Sequence, residues 1–578
     1  MRKYILLTLI AFLSSFQLMD AIPARPGKIT VTQPDGTRLT LERRGDEWAH
    51  WYVDASGRKL RRDEDGFYRE MTDAEVSEMS SHAAMRRSAR RNTLAQRASR
   101  ARQNPVVGQR HFLVILVEFD DLEFKEDNDS LAFVNKMNLP GYSRNGATGS
   151  ARDFYYDNSH GHFEPVFDVF GPVKMTEKYS YYGKNIGNSD KCPEQAVAEG
   201  CRLLDDEVDF SLYDNDGDGK VDLVFMYYAG YGEASGGAPD PIWPHQWELT
   251  AAGVDLVLDG VRIDSYACSN ELFQDEMDGI GPACHEFGHA MGLPDFYDTD
   301  DYGSSGLAGG LYSYSVMDGG SYNNESRTPP YFNFEERMLL GWLDESDYLE
   351  FTKTGVYTIP PIIENVAYKT VTDMEGEYFV YENRSPIGWD TYLPAHGMIV
   401  YHVDKSSRQV GFSTAHDLWE YWMDTNSINA RGSHPCFYVI PAASQSSLNY
   451  FFEARMPFPY QDVNSYVPNS WNGVEGYVSF SQIAHSDNLV TLQAHVFSGD
   501  LDFVSIADAG TYHAGDRFTF ELVLPEGVEA PSSVAWYYDD EPAGADSVTL
   551  TAGAHVIDAR LTYADGRQGT LTLEITVN

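Results

Sequence analysis

His285-Glu286-Phe287-Gly288-His289-Ala290-Met291-Gly292-Leu293-Pro294-Asp295 reads HExxHxxGxxD, and this stretch decides what the centre of the fold must be. Helical residues four apart share a face, so His285 and His289 point two imidazoles at one metal. Glu286 follows the first of them, where its carboxylate can take a proton from water activated there. Gly292 predicts the end of the helix, because glycine accepts the left-handed conformation of a sharp turn. Pro294 discourages a restart. The chain can then turn back and deliver Asp295 as a third ligand. Three protein ligands leave a fourth coordination position open, which is the layout of a catalytic zinc site and not of a structural one. A bare HExxH arises in helices by chance; the glycine and aspartate at these offsets make the pattern far more specific.

Twenty-two residues beyond Asp295, Tyr314-Ser315-Val316-Met317-Asp318-Gly319 sets a methionine in a small, turn-prone context. Alone, Met317 reads as a core gap-filler; after HExxHxxGxxD it reads as a floor for the site. A second metal pattern is Asp214-Asn215-Asp216-Gly217-Asp218-Gly219-Lys220-Val221-Asp222. Asp214, Asp216, Asp218 and Asp222 stand at positions 1, 3, 5 and 9 of a calcium loop, with glycine at 6 and the Lys220 carbonyl at 7. Position 12, where an EF-hand has glutamate, is Phe225 inside an expected strand. The alternative is a plain turn, which would leave four crowded carboxylates to repel one another without a cation. A further acidic cluster, Asp298, Asp300 and Asp301, fits solvated loop charges as well as a metal site. His160 and His162 suggest a surface turn, while His245 and Cys284 suggest packing.

The chain has 578 residues and a net charge of −44. That length predicts three or more domains. The charge argues against nucleic acid, whose phosphates would be repelled, and suits an exported protein that binds calcium. Five cysteines do not make a disulfide framework; Cys192 and Cys201 would lie about 13 Å apart along a helix, beyond disulfide reach. Arg2 and Lys3 before the short apolar run Tyr4–Leu13 predict a secretory signal peptide over 1–21, cleaved near Ala21. No run is long enough to span a bilayer. The expected location is secreted or extracellular, with the periplasm or cell surface as alternatives.

Residues 22–105 predict a small β-rich unit and then an arginine-rich linker carrying Arg86, Arg87, Arg90, Arg91, Arg97, Arg100 and Arg102. Such a tether is exposed and cleavable, which suggests a propeptide junction. Residues 106–345 alternate apolar strands (His111–Phe119, Val221–Ala229) with helices near 128–137, 149–157, 193–206 and 280–291, an α/β pattern. From 346 to 499 short strands predict a β-sandwich without a long helix. Residues 500–578 repeat that grammar around Trp536, as an immunoglobulin-like module would.

HEFGHAMGLPD, Tyr213–Gly219, Ser315-Val316-Met317-Asp318 and Leu393–Asp404 together resemble the immune-inhibitor-A-like metallopeptidases, a secreted bacterial family of zinc endopeptidases (peptidase family M-six). The likeness covers 108–345 and extends more loosely to the propeptide and to 377–440. It implies a metzincin-like domain with zinc on His285, His289 and Asp295, Glu286 as general base, Met317 in a methionine turn, bound calcium, and protein or peptide substrates. Two departures stand out. Gly319 occupies the place of a tyrosine that some metzincins carry after the turn methionine, which leaves Tyr322 as a candidate oxyanion helper. No cysteine precedes Cys192, so latency cannot come from a propeptide thiol. The expected protein is a zinc metalloendopeptidase made as a zymogen. Its rivals are a calcium-dependent surface adhesin on an inactive scaffold and a zinc amidase acting on glycan or cell-wall substrates. The C-terminal β domains leave a cell-surface or glycan contact open.

Overall fold

A computed structural model describes residues 22–577 apart from 47–48, 64, 90–105, 186–189, 236–239, 300–308, 427, 430, 444–451, 497–504, 508–510, 525–529, 540, 545 and 564–567. The expected signal peptide, the linker beyond residue 89, Asp300 and Asp301 therefore lie outside the described residues. The chain divides into two compact units. One holds Met1–Asp344, Pro386–Pro394 and Asp417–Tyr438; the other holds Glu345–Ser385, Ala395–His416 and Val439–Asn578.

In the first unit, β1 (Lys28–Thr32), β2 (Arg38–Gly45), β3 (His50–Asp54), β4 (Lys59–Arg62) and β5 (Tyr68–Glu70) form an antiparallel meander in sequence order. A helix, Asp73–Ala89, follows. The central sheet is built on β6 (Gly108–Glu118), whose residues Phe112–Val117 are buried. A strand covered on both faces reads as an unbroken apolar run, and β6 lies parallel between β7 (Phe163–Lys174) and β8 (Val224–Tyr231). Outward from β8, β9 (His245–Glu248) pairs antiparallel with part of a long strand. A small hairpin, β10 (Leu256–Leu258) with β11 (Val261–Ile263), leads into that strand, β12 (Ser265–Phe273), which runs parallel to β8. β13 (Glu276–Met277) turns back along it.

The helix Gly281–Met291 has Pro282 in its first turn, where a missing N–H is harmless. It is anchored to the sheet by Phe287, whose ring lies 4.8 Å from Phe112, 4.9 Å from Tyr155 and 5.5 Å from Phe167. Tyr155 also donates its hydroxyl to the Cys284 carbonyl at 2.6 Å. That helix-to-sheet aromatic cluster buries the side opposite the histidines.

Two later segments, around Trp389 and from Asp417 onward, also belong to this unit. Trp389 is buried edge-on against Phe154 at 5.2 Å and donates its indole N–H to Asp157 at 2.8 Å. The helix Ala415–Thr425 departs from the strands-only expectation for 346–499. Trp419 and Met423, four residues apart, are buried, a helical period hidden among flanking strand-like stretches.

In the second unit, strands Leu349–Glu350, Tyr368–Val371, Glu377–Arg384 and Gly397–Asp404 make one sheet, and Gly355–Ile359, Leu489–Val496 and Val478–Ser486 another. Phe351, Phe379, Tyr381, Met398, Phe480 and Leu492 fill one core cluster. Residues beyond 500 have their own core, around Phe518, Phe520, Ile557 and Leu561, and a four-stranded sheet with Trp536 on one strand. Among the described residues no helix is long and apolar enough to cross a membrane.

Candidate active site

The helix Gly281–Met291 ends at Gly292, whose φ is 105°; an L side chain there would be strained. The turn brings Asp295 back under the histidines. Nε2 of His285 lies 3.0 Å from Nε2 of His289, and Asp295 Oδ1 lies 3.0 Å from the first and 3.3 Å from the second. All three side chains are fully or almost fully buried. Nδ1 of His285 faces the Val316 carbonyl at 2.8 Å and Nδ1 of His289 the Leu293 carbonyl at 2.7 Å. A carbonyl can only accept, so both Nδ1 atoms carry the proton and both Nε2 atoms present lone pairs. Three acceptors therefore face one another in a dry interior, and Asp295 Oδ1 has no hydrogen-bond donor. A bound metal cation would reconcile them. Their spacing suits zinc, since tetrahedral ligands about 2.0 Å from the metal sit about 3.3 Å apart. Burial also holds His289 below the usual imidazole range, which favours the neutral, ligating form.

Met317 packs against the helix at Gly288. A Cβ on Gly288 would sit 2.6 Å from its sulfur, so the glycine of HEFGH is required for the methionine to pass under the helix. The Met317 carbonyl accepts from the Phe296 N–H at 2.9 Å, tying the turn to the loop that carries Asp295.

Sequence reasoning missed Asn426. Its Oδ1 accepts from the Asp295 N–H at 2.6 Å, and its Nδ2 donates to Asp295 Oδ2 at 2.5 Å. The amide thus clamps the carboxylate and turns the other oxygen toward the imidazoles. Asn426 lies 131 residues away and has no motif around it.

Glu286 is fully buried, and its Oε1 accepts the backbone N–H of Ile22 at 2.9 Å. Residues 22–25 pack beside it. The Trp243 indole donates to the Ile22 carbonyl at 3.0 Å, the Tyr322 hydroxyl to the Pro23 carbonyl at 2.5 Å, and the Arg25 N–H to the Ala234 carbonyl at 3.0 Å. Tyr322 therefore faces a peptide group of this segment, and burial pushes its phenol up, keeping the donor protonated. Beside it lie two buried acids. Asp190, pushed up by burial and by the Glu233 charge, accepts the Trp243 N–H at 2.8 Å. Glu233 is pushed up to about 7 by burial, against the pull of Arg43 and the Asn185 amide. His50 stacks on Trp243 at 4.9 Å and is pushed down to about 3, by burial and then by Arg43.

The aspartate loop gathers three of its four carboxylates. Oxygens of Asp214, Asp216 and Asp218 lie within 4.8 Å of one another, and Gly217 and Gly219 take positive φ of 72° and 85°. Asp222 is held to the side by the Asn215 amide at 2.9 Å. Burial, helped by the charges of Asp216 and Asp214, pushes it up to about 6 despite that bond. Among the other candidates, His245 is buried with Nδ1 at 2.6 Å from the Trp243 carbonyl and Nε2 at 3.0 Å from the Tyr266 hydroxyl, a packing role. Cys284 is buried, as are all five cysteines, none in a disulfide. His160 lies in a turn with φ of 53°.

Residues 100–338 match the family model described as immune inhibitor A peptidase M6, catalytic domain. This segment is similar to the peptidase M6 catalytic domain. Over 240 residues the chain is 25% identical to immune inhibitor A of Bacillus thuringiensis subsp. alesti, a match covering 35% of this chain and 34% of that protein. Over 264 residues it is 28% identical to the pre-pro-metalloprotease PrtV of Vibrio cholerae serotype O1, covering 37% and 28%. The matches thus span about a third or less of those relatives' lengths. A solved structure, wild-type OgpA from Akkermansia muciniphila, aligns over 82% of this chain and 97% of that one at 11% identity, with a TM-score of 0.23, too low to carry an argument.

Three outcomes test this geometry. Asn426→Ala frees the Asp295 carboxylate and should weaken zinc affinity by about 10- to 100-fold, measured by competition with a chelating dye; parent-like affinity would make the clamp incidental. If the aspartate loop holds calcium, saturation at about a hundred times Kd stabilises the fold by about 2.7 kcal/mol. Calcium chelation should then lower the melting temperature while zinc stays bound, and an unmoved melt would reduce the loop to a turn. Glu233 titrates from an ordinary value of 4.5 in the unfolded chain to about 7 in the folded one. The folded state binds more protons between those values, so stability falls as pH rises through that window. Glu233→Gln should flatten the decline in urea midpoint between pH about 5 and about 8.

Proposed function

We propose that the chain is a secreted zinc endopeptidase made as a zymogen. The observation that carries this reading is the convergence of three buried acceptor atoms beside a buried glutamate. His285, His289 and Asp295 would hold zinc, which when bound supplies Lewis acidity and a nucleophilic water at neutral pH. Glu286 takes the proton from the attacking water and hands it to the nitrogen of the leaving amine. Tyr322 donates its hydroxyl to a peptide carbonyl in the cleft. Met317 and Gly288 set the height of the helix over its floor. Structural calcium on Asp214, Asp216 and Asp218, with Asp222 and the Lys220 carbonyl, would brace the entry to β8.

Latency is supported by the occupied cleft. In this reading 1–21 is the signal peptide, and 22–105 is the propeptide, carrying the meander β1–β5 and the arginine-rich tether. Ile22 N–H on Glu286 ties up the base, and residues 22–25 fill the path a substrate would take. Signal cleavage after Ala21 would turn the Ile22 amide into an ammonium, strengthening its bond to the carboxylate. A tethered blocker also acts at high effective concentration. The strands of 346–499 and the immunoglobulin-like module of 500–578 would serve as accessory β domains, open to cell-surface or glycan contact.

The test is hydrolysis of an unstructured protein such as casein. The uncut chain should be inactive, and a cut between Arg86 and Arg102 should activate it, while thiol reagents should not. Glu286→Gln in the cut chain should retain zinc and lose about 10²- to 10⁴-fold in rate. A zinc-loaded variant with parent-like rate would overturn the role of Glu286, and a cut chain that hydrolyses nothing would favour the adhesin instead.

A further inference from the structure

Arg25 is the side chain of the cleft-bound segment that enters a charged pocket. Its guanidinium stacks over the Phe273 ring at 3.5 Å and lies 4.6 Å from the Tyr322 ring. One terminal nitrogen donates to Asp278 Oδ1 at 3.2 Å and to Ser326 Oγ at 2.5 Å. The two side chains are 9% and 1% exposed, so the pair is withdrawn from water. Asp278 is built in: Oδ1 also accepts the Gly279 N–H at 2.8 Å and Oδ2 the Asn270 amide at 3.1 Å. Another cation that senses its charge, Lys136, makes no hydrogen bond with its ammonium.

The register of the segment gives this pocket a meaning. Glu286 delivers a proton to the leaving amine, so a nitrogen bonded to Glu286 stands where the new amino terminus of a product stands. Ile22 supplies that nitrogen and corresponds to the first residue beyond the cut. Arg25 is then the fourth. Main-chain groups of the segment are held by Trp243 at Ile22, by Tyr322 at Pro23 and by the Ala234 carbonyl at the Arg25 N–H, while the Ile22 and Ala24 side chains pack in a buried apolar cluster with Ala234 and Trp243. Recognition of a charged side chain falls to the pocket around Arg25. When the propeptide leaves, Asp278 loses its hydrogen-bonded cation, and a buried carboxylate without one is costly.

On the endopeptidase reading above, we infer that Asp278, Phe273, Tyr322 and Ser326 form a subsite for arginine at the fourth residue beyond the scissile bond. Arginine fits it better than lysine, because a flat guanidinium stacks between two rings while its edge reaches the carboxylate. The propeptide uses the same subsite, so it blocks the enzyme as a product would.

Two measurements on the cut, secreted chain test this. In the first, peptides differing only at the fourth residue beyond the cut are compared. Arginine should exceed norleucine in kcat/KM by about 10- to 100-fold, as a charge-assisted buried hydrogen bond implies, with lysine between. Asp278→Asn should collapse that ratio, and glutamate should be the poorest residue. Equal turnover of arginine and norleucine peptides by the parent overturns the subsite. In the second, binding of the hexapeptide Ile-Pro-Ala-Arg-Pro-Gly is measured by calorimetry against its alanine-four analogue, with no hydrolysis needed. Loss of affinity in the analogue supports the subsite even if no peptide is cut, an outcome that would sink the peptidase reading alone. Equal affinity of the two peptides overturns the subsite whatever the activity.

Discussion

Three acceptor atoms with no proton between them, His285 Nε2, His289 Nε2 and Asp295 Oδ1, are held 3.0–3.3 Å apart in a dry interior. Much of the surrounding architecture serves to keep that arrangement from relaxing. Two backbone carbonyls take the Nδ1 protons, so neither ring can turn to donate to its neighbour. The positive φ at Gly292 returns the chain to the helix it has just left. The missing side chain at Gly288 admits Met317, and the Asn426 amide fixes the remaining carboxylate oxygen. The aromatic cluster around Phe287 holds the helix on the sheet, giving the set a rigid base.

The cleft beside this centre is a place of buried acids: Glu286, Asp278, Glu233 and Asp190 are all buried or nearly so. The amino-terminal segment meets them with donors and cations. The Ile22 N–H faces Glu286, Arg25 pairs with Asp278, and the Arg43 charge acts on Glu233. This complementarity explains how a small meander, itself weakly cored around Leu41, Tyr52 and Leu60, can be held in place.

Much of the site was legible because it is local. A helix repeats every 3.6 residues, so HExxH already implies two convergent imidazoles, and glycine with proline implies the turn that returns Asp295. The aspartate loop is likewise encoded in nine consecutive residues, with glycines where positive φ is needed. The parallel strands β6 and β8 betrayed themselves as apolar runs buried on both faces. The helix Ala415–Thr425 did not, because its period of four is short and its neighbours read as strands.

Sequence alone therefore determined which side chains converge at the centre and the order of its elements, since both follow from residue type and near-neighbour spacing. Only the tertiary structure decided what surrounds that centre. Ile22 meets Glu286 across 264 residues, Arg25 meets Asp278 across 253, and Asn426 meets Asp295 across 131. No periodicity links such partners. They are brought together by packing and by the need to satisfy buried charge, and those constraints act in space and leave no mark along the chain.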